Sequence, residues 1–130
     1  MNYYLLTAAI LCFLLGLIHS FLGEFLIFKN KREKGTFIPS QVNQDLKERH
    51  LRILWATWHL ASVFGWCIGA ILIKISINPS DSSSSFTNFI ILSAMYTMFM
   101  SSALVLVGTK GKHPGWVVLI IIGTLLMMGV

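Results

Sequence analysis

The sequence predicts an all-α protein, a bundle of four transmembrane helices, and three observations carry that prediction. The chain has 130 residues, is 55% hydrophobic and only 12% charged, with a mean hydropathy of +0.75. Soluble domains carry about 25% charged residues, so a soluble core of this size could not hide the apolar surface. Four apolar runs stand out, at about Tyr3–Phe28, His50–Ile75, Phe86–Gly108 and Pro114–Val130. Lys and Arg are concentrated in two of the three connections between them.

A helix needs about 20 residues to cross the hydrocarbon core. The first three runs exceed that, and the fourth sits at the lower limit. The opening "MNYYLLTAAILC" has no basic n-region and no small-x-small cleavage pattern, so it reads as a retained first helix. The first connection, "KNKREKGTFIPSQVNQDLKER", is basic and polar. After Pro39, Val42, Leu46 and Arg49 lie at helical spacing and predict an early helical entry. "SINPSDSSSS" is neutral and Ser-rich, and "TKGKHPG" is short and basic. The positive-inside rule places the first and third connections in the cytoplasm and both termini outside. Pro114 suits the first turn of the fourth helix, where its missing N–H is not needed. The whole reads as one integral membrane domain.

Composition narrows the function classes. Ten Lys and Arg against five Asp and Glu raise the question of nucleic acid. Their loop positions account for them as orientation signals, and nucleic acid is excluded as a partner. Cys12 and Cys67 lie inside apolar runs with no CxxC, so no thiolate metal motif exists. The sequence displays no Ser/His/Asp constellation, phosphate loop or paired carboxylates, and enzymatic activity has no support at this level.

Polar residues inside the runs are the informative ones, because an ionisable group in hydrocarbon costs roughly 2.5–3.5 kcal/mol on insertion scales. His19 lies nine residues before the predicted cytoplasmic end of helix one, and His59 nine residues after the start of helix two. Both are then about 13 Å deep. Their matched depth predicts a polar site between helices one and two, toward the cytoplasm. Gly16 and Gly23 flank His19 and permit close approach. On helix two, Arg52, Trp55, His59, Ser62 and Trp66 share one stripe. Ala61, Gly65 and Gly69 form a small-xxx-small ladder on another face, suited to a second copy or to a neighbouring helix.

Glu24 lies near the boundary at a depth similar to Arg52. Two readings stand: an ion pair with Arg52 across the helices, or a carboxylate that reaches the headgroups beside Lys29. His113 starts helix four and is a further site candidate, although about 10 Å shallower than His19 and His59. His50 reads as an ordinary interfacial residue.

Three functions follow from this pattern. Neutral imidazole is the commonest metal ligand, so His19 and His59 can be read as ligands of a transition metal or as axial ligands of a b-type haem. Trp walls would also suit a quinone. A small proton-coupled transporter is the second reading, since size, helix count and Glu24 superficially resemble the small multidrug resistance proteins. A structural or assembly subunit, in which the polar stripe only sets helix register, is the third.

A further resemblance rests on motifs. "HSFLGE" at His19–Glu24, "RILWATWHLAS" at Arg52–Ser62 and "HPGW" at His113–Trp116 resemble a group of small bacterial inner-membrane proteins of unknown function. That group shows H-S-x-L-G-E in helix one and W-H-x-x-S in helix two. The resemblance spans most of the chain. It implies an inner-membrane location and treats His19, Glu24 and His59 as a unit, with no substrate attached.

Overall fold

The computed structural model describes residues 1–32, 34–41, 47–78 and 84–130. The helical entry expected around Val42 and Leu46 lies outside them. The described residues form four α-helices and no strand: α1 (Tyr3–Leu22), α2 (Glu48–Ile77), α3 (Ser85–Gly108) and α4 (Gly115–Gly129). α1 continues without a break into a π-helical turn, Gly23–Phe28, and a 3-10 turn, Lys29–Lys31.

Three helices are long and apolar enough to cross a membrane: Tyr3–Lys31, Glu48–Ile77 and Ser85–Gly108. Only 28% of the residues in each apolar window are buried inside the protein, so most of that apolar surface faces outward. The fourth predicted span is shorter than expected. α4 has 15 residues, about 22 Å of helix, against a hydrocarbon core of about 30 Å.

The chain divides into two compact units, Met1–Leu15 with Trp66–Val130, and Gly16–Gly65. In the first, all four helices feed one core that includes Leu5, Cys12, Leu72, Ile91, Met98 and Leu126. Close packing and hydrogen bonds join the helices of this core. Gly123 of α4 leaves room for Phe99 of α3, where a Cβ would come within 2.8 Å of the ring. Ser102 of α3 donates to the Trp116 carbonyl of α4 at 2.8 Å. Gly69 seats Phe13 in the same way, at 2.8 Å, so this end of the small-residue ladder packs within the chain. Trp66 belongs here as well, its indole donating to the Phe13 carbonyl at 3.3 Å.

Helix ends leave backbone groups unpaired, and Asn2 serves four of them. Its Oδ1 accepts from the Tyr4 and Leu5 amides, capping α1. Its Nδ2 donates to the Gly129 carbonyl at 2.8 Å, and its own amide to the Ser76 carbonyl at 2.9 Å. Ser84 caps α3 through the Thr87 amide. α3 ends in a Schellman motif: the Gly111 amide reaches Leu106 and the Lys110 amide reaches Val107. Lys110 takes the left-handed conformation there, at φ +52°.

The second unit holds Gly16–Leu22 of α1, the π and 3-10 turns, the loop to Gln41, and Glu48–Gly65 of α2. Here the end of α1 runs antiparallel to the start of α2, with Ser20 beside Ser62 and Glu24 beside Trp55.

Candidate functional site

The site begins with a notch. A Cβ on Gly23 would sit 2.1 Å from Nε1 of Trp58, so only glycine admits the indole. Trp58 enters there and donates to the His19 carbonyl at 2.8 Å. The His19 ring lies flat on the indole, centroids 4.3 Å apart and planes 4° from parallel. Phe28 closes the arrangement edge-on at 6.1 Å. Gly23 is also where the helix widens from α to π. Such turns displace side chains from the regular 100° progression and often mark functional sites.

One residue later stands Glu24, and three donors converge on it. Trp55 Nε1 donates to Oε1 at 2.6 Å, His59 Nε2 lies 2.8 Å from the same oxygen, and Arg32 donates to Oε2. Glu24 is 26% exposed and its partners are similarly half-buried. In a poorly hydrated setting this compensation is what keeps a charged pair tolerable.

His59 is held at its other nitrogen too. Ser20 Oγ lies 3.0 Å from Nδ1 and 2.9 Å from Ser62 Oγ, and Ser62 is only 2% exposed. A carboxylate accepts only, so a neutral ring must carry its hydrogen on Nε2 and take the Ser20 hydroxyl on Nδ1, whereas the Ser20 hydroxyl as placed donates to Ser62. When the ring takes a second proton, Nδ1 becomes a donor to Ser20, and the Ser20 hydroxyl turns to donate to Ser62. The result is an unbroken hydrogen-bonded chain, Ser62–Ser20–His59–Glu24, which can reverse its direction as a proton passes.

This geometry rearranges several expectations. Glu24 pairs with Arg32, not with Arg52. Arg52 is engaged by Glu48 one helical turn away, at 2.8 Å and half-exposed, because the i,i+4 spacing brings those two together first. The 3-10 turn carries Arg32 back over Glu24. The expected pairing of His19 with His59 gives way to other contacts: both nitrogens of His59 face Ser20 and Glu24, and the His19 ring is stacked on Trp58. Among the described residues no group of three or more His, Cys, Asp or Glu is placed to hold a metal. Trp55 does wall the site, edge-on to His59 at 5.0 Å. Trp66 instead serves the other unit's packing. His113 also belongs to that unit, where its Nδ1 accepts from the Gly115 amide at 3.1 Å and orders the start of α4.

Arg32 and Trp58 carried little signal in the sequence, and Ser20 somewhat more. Arg32 lay in a basic loop that the orientation rule already explained. Trp58 lay off the stripe of Trp55 and His59 and was marked only as the Trp of the W-H-x-x-S motif. Ser20, four residues before Glu24, shares its helical face, and a simple hydrogen bond from a membrane histidine to Ser20 or Ser62 is the plain alternative to a ligand site; the structure makes that contact to His59. Ser20, His59 and Glu24 stand in the order hydroxyl, base and orienting carboxylate, an arrangement invisible while they were dispersed over forty positions of sequence.

No family model, curated protein or solved structure matches this chain.

Proposed function

We propose that the chain is a four-helix integral membrane protein of the bacterial inner membrane, and that its Ser62–Ser20–His59–Glu24 chain is the proton relay of a small proton-coupled carrier. Both termini lie outside, and the basic connections face the cytoplasm. The observation that carries this reading is the grip on His59, whose two nitrogens face Ser20 and Glu24 at 3.0 and 2.8 Å. Membrane carboxylates and imidazoles joined in this way are the usual material of proton pathways. A proton delivered through Ser20 to Nδ1 releases the Nε2 proton toward Glu24. Arg32 and Trp55 hold the carboxylate in place to receive it.

The test is proton flux. The full chain in liposomes containing a pH-sensitive dye, driven by a potassium diffusion potential, should acidify the lumen faster than empty vesicles. Ser20→Thr should keep the flux, and Ser20→Ala, His59→Ala and Glu24→Gln should lower it. Equal rates for wild type and His59→Ala reject the relay.

The order Ser20, His59, Glu24 favours a second reading, in which Ser20 is a nucleophile with His59 as its base. Fluorophosphonate labelling that disappears in Ser20→Ala distinguishes it from the relay.

A further inference from the structure

The relay leaves the segment after it unused, and that segment is built. The Lys31 carbonyl accepts from the Ser40 and Gln41 amides at 2.8 and 2.9 Å, closing the loop on itself. Gly35 turns the chain at φ +86°. Arg32 uses Nε to hold the Phe37 carbonyl at 2.6 Å while its other nitrogen reaches Glu24. Phe37 meets the edge of Trp55 at 5.8 Å and is nevertheless 76% exposed. The neighbouring Ile38 is exposed too. An ordered loop thus presents an apolar tip to its surroundings.

Positive charge accompanies that tip, with the Arg32 guanidinium 5.7 Å from the Phe37 ring centroid. Residues 16–65 hold seven Lys and Arg against four Asp and Glu. Among the described residues, Glu24 is taken by Arg32 and Glu48 by Arg52. Lys29, Lys31 and Lys34 therefore have no acidic partner among them. Phe25 and Leu26, near the end of the first span, are exposed as well.

We propose that residues 29–32 and 34–41 dock on anionic phospholipid, their lysines among the headgroup phosphates and Phe37 and Ile38 at the headgroup–acyl boundary. An acidic protein would answer the charge alone. A lipid leaflet supplies anions and hydrocarbon side by side at the depth where a span ends. Each lysine near such a surface strengthens the attraction by about fivefold. The inference rests on the membrane reading of the spans and is independent of proton transfer.

The test places a nitroxide at Ile38→Cys in a Cys67→Ser background and reconstitutes the full chain. Vesicles are pure phosphatidylcholine or contain 30% phosphatidylglycerol. In the anionic vesicles the label should be favoured by oxygen and shielded from a water-soluble nickel chelate. In pure phosphatidylcholine, or with Lys29, Lys31 and Lys34 all changed to Gln, nickel access should rise several-fold. Circular dichroism confirms that the triple variant keeps its helices. Equal nickel access in both vesicles, or in both proteins, overturns the proposal. Shielding in phosphatidylcholine on adding inorganic phosphate or polyglutamate overturns it as well, in favour of a free anion or an acidic protein.

Discussion

Gly23→Ala is the sharpest single perturbation of the site. The added Cβ would lie 2.1, 2.5 and 2.7 Å from Nε1, Cδ1 and Cε2 of Trp58. All three belong to a rigid ring, so no flexible tip can yield and the whole indole must shift. Overpacking of this kind costs about 1–3 kcal/mol. Losing the Trp58 bond to the His19 carbonyl adds about 0.5–1.5 kcal/mol. Alanine's better helix propensity returns about 1 kcal/mol. The net expectation is a destabilisation of about 1–3 kcal/mol, read as a lowered midpoint when wild type and variant are unfolded in mixed detergent micelles with SDS. Gly108→Ala is the control, because nothing lies within 4 Å of the added carbon, and it should be neutral or slightly stabilising. Trp58→Leu, destabilising alone, should remove most of the further penalty of Gly23→Ala. A Gly23→Ala protein as stable as wild type would refute the notch.

Glu24→Gln should cost about 1–3 kcal/mol, less than a fully buried pair because both groups are half-exposed. A double-mutant cycle with Arg32→Gln should show coupling and one with Arg52→Gln should be additive; the reverse result would reinstate Arg52 as the partner. Lys110→Gly should stabilise by about 0.5–1 kcal/mol in thermal unfolding, since it relieves a left-handed lysine at φ +52°; a loss of stability would contradict that assignment. Lys34→Cys should be shielded from a membrane-impermeant maleimide applied outside intact cells and Ser85→Cys labelled, with Cys67→Ser as background. The opposite pattern would invert the topology.

Much of the architecture is legible because it is local. The length of an apolar run and the placement of Lys and Arg need no knowledge of what packs on what, and they specify three membrane-length helices and a basic connection. The energetic oddity of Glu24 and His59 is equally local, since a charge among Leu and Phe is conspicuous wherever the chain goes. Partners are another matter. Reading faces from sequence assumes 100° for every residue, and the π turn at Gly23–Phe28 breaks that progression just where Glu24 stands. Arg52 then loses to Arg32, which the 3-10 turn swings back, while Glu48 claims Arg52 from one turn away. Likewise, His19 looked like a partner for His59 by depth, yet the notch at Gly23 gives its ring to Trp58. Ser20, one hydroxyl among several that could have met a histidine, becomes the second partner of His59. Sequence alone determined where the charges must hide, because burial cost depends on the run around them. Tertiary structure decided what neutralises them, because hydrogen bonds act over about 3 Å and that distance is set by how two helices meet.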